Sequence, residues 1–209
     1  MPLFYHNISD DGTKIGVWHI TEPESFFLTK VPLHREITHP HKRLQHLAGR
    51  YLLQHLFPDF PYHLIEIADT RRPFLPNEEY HFSISHCGDY AAVMISKDKR
   101  VGIDIEIVTP KIDRIIHKFL TERELKMAEG ITSVPLQDIL TGMWSVKESL
   151  FKWIGEGGVD FKEHLHINKL EKKENSFAVE CEIERNINKS LGLDLQFFDG
   201  TCLAYVKDN

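Results

Sequence analysis

The segment Trp144-Ser-Val-Lys147-Glu148-Ser-Leu-Phe151-Lys152 sets two lysines, a glutamate and two aromatic residues within about two helical turns. On a helix, Trp144, Lys147, Glu148, Phe151 and Lys152 stand at i, i+3, i+4, i+7 and i+8, which gathers them on one face. About forty residues upstream, Val101-Gly102-Ile103-Asp104-Ile105-Glu106 reads as a strand, and residues two apart on a strand point to the same side. One strand and one helix can thus present Asp104, Glu106 and Glu148 together with two lysines. Oxygen ligands suit Mg²⁺, which takes one or two carboxylates and leaves its other positions to water and substrate phosphates. This is the inventory of a metal-dependent reaction on a phosphoanhydride.

Plainer readings stand beside it. One face of an antiparallel strand is often wet, which gives the same alternation of Asp104 and Glu106 without a metal. Against that, two unpaired carboxylates in an otherwise apolar strand are costly to bury. Glu148 can equally be a surface glutamate paired with Lys152 at i+4. Trp144 and Phe151 on the same face argue that this side of the helix is packed or lines a cleft, and Trp144 is read as a wall or core residue.

The elements that must position these groups can be read along the chain. Asp10-Asp11-Gly12 marks a hairpin between Phe4–Ile8 and Lys14–Ile20. Leu44, Leu47, Tyr51 and Leu52 fall at helical spacing in a helix expected over Thr38–Phe57, closed by Pro58. His63–Ala68 reads as a strand, and Asp69–Glu79, with two prolines, as a loop. Tyr80–His86, Tyr90–Ser96 and Val101–Val108 predict three consecutive antiparallel strands, the first two joined through Cys87-Gly-Asp. Ile112–Phe119 predicts a short amphipathic helix. Thr121-Glu-Arg-Glu124 is a capping box opening a helix toward Glu129. The helix that carries Glu148 is expected from Pro135 or Leu136 to a C-cap at Gly155. Phe177, Val179, Cys181 and Ile183 alternate as in a half-buried strand, and Asp199-Gly200 turns a hairpin toward Thr201–Val206.

Composition narrows the function classes. At 209 residues the chain can form one domain or two small ones. A net charge of −6 argues against a nucleic-acid binder that relies on a broad basic field. Anionic ligands must then be met by local clusters such as Lys42-Arg43 with Arg50, Arg71-Arg72, or Lys111, Arg114 and Lys118. No apolar run approaches the roughly 18 residues of a membrane span, and the opening residues lack the pattern of a signal peptide. A cytoplasmic setting without membrane contact is expected. Cys87, Cys181 and Cys202 are scattered, which predicts thiols and neither a disulfide framework nor a zinc site. His39 with His41 and His46 with His55 lack i, i+4 ligand spacing, and Gly155-Glu-Gly157-Gly158 follows a helix and reads as a chain reversal.

With Phe82-Ser-Ile-Ser85-His86 upstream, the strand and helix motifs together resemble the 4′-phosphopantetheinyl transferases of the surfactin-synthetase-activator type. That family shows an FxxSHS-like segment, a (V/I)G(I/V)D(I/V)E strand and a W(S/C)xKE(S/A)xxK helix in this order and at about these separations. The resemblance implies an α+β fold of two pseudo-two-fold-related subdomains, each a small, mainly antiparallel sheet packed with helices. Their expected bounds are 1–100 and 101–209, with the active site in the cleft between them.

The resemblance further implies transfer of the 4′-phosphopantetheine of coenzyme A to a serine of an apo acyl or peptidyl carrier protein, releasing 3′,5′-ADP. Asp104, Glu106 and Glu148 would hold Mg²⁺, Glu148 would take the serine proton, Lys152 would steady the departing phosphate, and Lys147 would assist binding. Ser85 and His86 would face the phosphates of coenzyme A, with Arg72 and Pro73 nearby. Arg43 and Arg50, seven apart on one helix, would grip the 3′-phosphate. Cys87 departs from the Ser or Thr usual at its position. The segment holding Lys111, Ile112, Ile115, Ile116 and Lys118 offers an apolar stripe with basic edges to an acidic carrier, or packs on its own subdomain. A monomer is expected. Two other readings are a non-catalytic module that binds coenzyme A or carrier proteins, and a Mg²⁺-dependent hydrolase of a related anhydride.

Overall fold

The computed structural model describes residues 3–33, 36–186 and 188–207. The chain divides into two compact units, Met1–Val101 and Gly102–Asn209. Both combine antiparallel sheet with helix, the α+β arrangement expected.

In the first unit, β1 (Leu3–Ile8) and β2 (Lys14–His19) form the hairpin around Gly12, whose φ of +81° suits a residue without Cβ. A five-residue helix, α1 (Glu24–Leu28), was not foreseen. It is followed by α2 (Pro40–Leu56), which starts two residues later than expected because Pro40 occupies the first helical position behind an N-cap at His39. The strand expected over His63–Ala68 is mostly absent. Pro61 leads into a 3₁₀ turn at Tyr62–Leu64, and only β3 (Glu66–Ile67) pairs, with β4 (Pro73–Phe74). Leu64 and Ile67 are exposed, so nothing apolar holds a longer strand there. β5 (His81–Cys87) and β6 (Tyr90–Ser96) complete a sheet of order β1-β2-β6-β5. Leu47, Leu52, Leu53 and Leu56 of α2 pack on it with Phe27, Phe60, Phe82 and Ile95.

The second unit opens with β7 (Ile103–Ile107). A turn at Pro110–Arg114 and α3 (Ile116–Phe119) take the place of the single helix expected there, broken at Ile115. The helix α4 (Glu122–Glu129) begins on the capping box of Thr121 and Glu124, both halves of which are formed. Helix α5 (Leu136–Ile154) ends at Gly155, which adopts the left-handed conformation at φ +72°. Then come β8 (Leu165–Lys172), β9 (Ser176–Glu184), β10 (Asn188–Phe198) and β11 (Thr201–Lys207). Their sheet has the order β7-β11-β10-β9-β8. The alternation read in β9 is present, with Phe177, Val179, Cys181 and Ile183 all turned into the core.

One expectation about pairing is overturned. β5 and β6 are antiparallel neighbours, but β7 pairs with β11, so the three strands do not form one meander. The Ser96 hydroxyl accepts from the Asp98 and Lys99 amides and so bends the chain directly after β6. A turn signal reads only the local bend, and a bend is present at 97–99.

Among the described residues no helix is long and apolar enough to cross a membrane, and none of the three cysteines is in a disulfide. The capping box gives a first test. Thr121→Ala removes an acceptor of the Glu124 amide and is expected to cost about 1 kcal/mol, read as a lower urea midpoint at unchanged slope.

Candidate active site

β7 is held by β11 with Asp104 opposite Ala204 and Glu106 opposite Cys202. Helix α5 lies on these two strands, and its approach depends on Gly102. A Cβ there would stand 2.1 Å from the Ser149 carbonyl oxygen and 3.0 Å from Trp153 Cβ, so only glycine lets the start of β7 pass under the helix. Ser149 Oγ lies 2.9 Å from both the Ser145 and Ala204 carbonyl oxygens and donates to one at a time. This anchors the helix to the strand residue that faces Asp104.

That anchoring brings the two motifs together. Lys152 Nζ donates to Asp104 Oδ1 at 2.7 Å, with Asp104 almost wholly buried and Lys152 about one quarter exposed. Glu148, one turn before Lys152, is half-buried. Burial is the largest influence on its carboxyl and raises its pKa; Asp104 and Glu106 raise it further and Lys152 lowers it, leaving it at about 7 against an ordinary 4.5. The three carboxylates therefore sense one another across the helix and strand interface. Trp144, on the same helix, donates its indole N–H to Glu106 Oε1 at 3.3 Å. Trp144, expected as a wall or core residue, thus also engages a carboxylate.

Among the described residues no group of three or more His, Cys, Asp or Glu side chains is so arranged that it could hold a metal ion. The donor set is nevertheless all hard oxygen, it carries mutual repulsion that a divalent cation would offset, and Mg²⁺ commonly leaves part of its shell to water and phosphate. The carboxylate oxygens of Asp104, Glu106 and Glu148 are of the chemical type such an ion takes.

The lysines separate. Lys147 is not on the face with Glu148 and Lys152: its ammonium is wholly buried, 2.8 Å from Glu124 Oε1, and donates to the Phe119 and Phe161 carbonyls at 2.6 and 3.0 Å. Burial lowers its pKa and Glu124 opposes that. The role in binding expected for it is corrected on this ground, since an ammonium with all three protons spent inside the core cannot reach a ligand. Glu124 went unnoticed as a partner, although its place in the capping box already turned its side chain back toward the helix start.

The residues expected around a phosphate ligand lie in the first unit. Arg43 Nε donates to Glu24 Oε1 at 2.9 Å and its Nη1 to the Ile37 carbonyl at 2.8 Å, so Arg43 ties α2 to α1. Arg50 is buried beside His46, with Nη1 to Nδ1 at 3.1 Å. Ser85 is buried and His86 exposed, as neighbours on β5 must point to opposite faces. The following turn, with Gly88 at φ +52°, is held by Gln45, whose amide donates to the Gly88 carbonyl at 2.7 Å. Arg72 is half-buried in a tight loop closed by Ala68 and Arg72 backbone bonding at 2.9 Å, with Arg71 at φ +66°. Burial, and then the neighbouring Arg100, lower the Arg72 pKa. Pro73 begins β4.

The apolar stripe after β7 is divided. Ile112 turns into the core and Ile115 and Ile116 are half-buried against it, while Lys111 and Lys118 are exposed.

In this α+β unit a buried strand aspartate, a neighbouring glutamate and a helical glutamate–lysine pair are brought together, a set suited to handling a charged phosphate ester. The family model of the 4′-phosphopantetheinyl transferase superfamily matches residues 100–206, and the chain belongs to that superfamily. Among named relatives it is similar to enterobactin synthase component D of Salmonella austin, at 31% identity over 111 residues, 53% of this chain and 47% of the relative. It is 29% identical over 130 residues to the L-aminoadipate-semialdehyde dehydrogenase-phosphopantetheinyl transferase of Xenopus laevis, 53% of this chain and 43% of that protein. The 4′-phosphopantetheinyl transferase AcpT of Escherichia coli strain K12 is 36% identical over 70 residues, 34% of this chain and 35% of the relative. In each case the likeness spans less than half of the relative's length.

Proposed function

We propose that this protein transfers the 4′-phosphopantetheine group of coenzyme A to a serine hydroxyl of an apo acyl or peptidyl carrier protein, with Mg²⁺, releasing 3′,5′-ADP. The observation that carries the reading is the meeting of Asp104, Glu106 and Glu148 with Lys152 at the junction of β7 and α5. Membership of the superfamily and the printed names of the relatives support the same reaction.

In this reading Asp104, Glu106 and Glu148 hold the ion, which when bound supplies charge neutralisation to the pyrophosphate. Glu148 accepts the proton of the incoming serine; a carboxyl near neutrality is suited to that exchange. The serine oxygen forms a bond to the phosphorus next to pantetheine, and the bond from that phosphorus to the bridging oxygen breaks. Lys152, anchored on Asp104, presents a cation to the charge that develops on the leaving 3′,5′-ADP. Arg72, Ser85 and His86 are assigned to coenzyme A. Arg43 is not, since Glu24 and Ile37 already engage its guanidinium. Lys111, Arg114 and Lys118 give an acidic carrier a basic face. A cytoplasmic monomer completes the proposal.

Incubation with coenzyme A, MgCl₂ and an apo carrier protein, followed by intact mass spectrometry, tests it. One added phosphopantetheine per carrier, lost with EDTA and reduced at least a hundredfold in rate in Lys152→Met, is the expected result. Coenzyme A cleaved without transfer would point to a hydrolase, and coenzyme A bound but unchanged across several carriers to a binding module. Either would overturn the assignment.

A further inference from the structure

Lys147 and Glu124 form an ion pair at the centre of the second unit, and stability alone does not account for it. Lys147 is wholly buried and Glu124 almost so. Removing two charges from water is expensive, and apolar residues of similar volume often serve the fold as well or better. What an apolar pair does not supply is direction. Glu124 accepts from the Thr121 amide at 2.7 Å and the Ile167 amide at 2.8 Å while it holds Lys147. Lys147 then spends its other two protons on the carbonyls of Phe119 and Phe161.

Those two residues flank Trp144. The Phe119 ring meets the indole edge to face with centroids 5.1 Å apart, and the Phe161 ring stacks on it at 5.3 Å. Both jaws of this aromatic clamp are therefore tied through their backbone to one ammonium. The indole they hold donates to Glu106.

We propose that Lys147 is a positioning residue for Glu106: with Glu124 it fixes the Phe119 and Phe161 segments, which hold the Trp144 indole against the Glu106 carboxylate. This rests on the reading of Glu106 as a metal ligand. It assigns Lys147 to metal affinity, through an outer partner whose loss typically weakens binding 10- to 100-fold, and not to contact with substrate.

The test uses three variants of the whole chain. Lys147→Met with Glu124→Gln removes both charges so that neither is stranded. Trp144→Phe keeps a ring and loses the donor, and a triple variant combines all three changes. The ¹H–¹⁵N indole signal of Trp144, identified by its absence in Trp144→Phe, reports the clamp, and titration calorimetry with MgCl₂ reports the metal. The paired variant is expected to shift the indole signal and weaken Mg²⁺ about tenfold; Trp144→Phe should weaken it similarly. The triple variant should again lose about tenfold and not a hundredfold, because the changes act through one route. An unchanged indole signal, wild-type Mg²⁺ affinity or additive losses would overturn the proposal. Should the paired variant fail to fold, Phe161→Leu removes one jaw, and it must produce the same two changes for the proposal to stand. A wild-type protein that binds no Mg²⁺ would count against the proposed function, while the indole signal would still decide whether Lys147 holds the clamp.

Discussion

Glutamine at position 148 is expected to slow transfer about a thousandfold while making the metal-free protein more stable at pH 8. The two effects have one origin. Burial and the neighbouring carboxylates lift the Glu148 pKa to about 7, whereas the unfolded chain keeps the ordinary 4.5. Below 4.5 both states are protonated, and the group does not affect folding. Between 4.5 and 7 the unfolded chain loses its proton and the folded protein keeps it, so stability falls as pH rises. Above 7 the folded protein carries an ionised Glu148 at a cost of about 3 kcal/mol, which glutamine does not incur. Thermal unfolding of wild type and Glu148→Gln at pH 5 and pH 8 without metal should therefore show a gain that is small at the lower pH and full at the higher. Adding MgCl₂ should stabilise wild type and not the variant. A variant no more stable than wild type at pH 8 would show that burial and the neighbouring carboxylates do not raise the Glu148 pKa as described.

Gly102→Ala is expected to be the most disruptive single-methyl change in the second unit. The new Cβ would meet a backbone oxygen at 2.1 Å, and a carbonyl in the middle of α5 cannot swing aside as a side chain would. Either β7 leaves the helix or α5 leaves the sheet. A loss of about 3 kcal/mol or more follows, read by urea denaturation, with loss of transfer even where the protein remains folded. The added methyl at Gly200 meets nothing within 4 Å, though its φ of +72° strains any side chain, so Gly200→Ala should cost about 1 kcal/mol and leave the site intact. Equal effects from the two substitutions would mean that the helix does not sit on the strand as described.

The pair Asp104 and Glu106 was legible because a strand has a period of two and leaves no doubt which residues share a side. Glu148 and Lys152 were legible for a similar reason, standing about 40° apart around the helix. Lys147 was not. It lies about 140° from Lys152, within what a helical wheel can still count as one face, and only the position of Glu124 shows that its ammonium turns inward. The capping box carries half of that information, and by itself it marks only the start of a helix. Arg43 and Arg50 do share a helical face, but the Glu24 that engages Arg43 sits in a five-residue helix too short to leave a periodic signal. The departure of β7 from β6 was invisible because strand partners nearly a hundred residues apart leave no local mark. What could be read was periodic or capped; what could not depended on a distant partner.

The pairing of β7 with β11 bears on how the protein comes into being. Asp104 and Glu106 are synthesised roughly 100 residues before the strand that will hold them, a delay of about 5–20 s at ordinary rates of translation. During that interval the strand lacks the neighbour that completes it, and α5 lacks the Ala204 carbonyl on which Ser149 anchors. A nascent chain therefore exposes an acidic, unpaired strand edge until β11 emerges, and the junction of strand and helix forms only then.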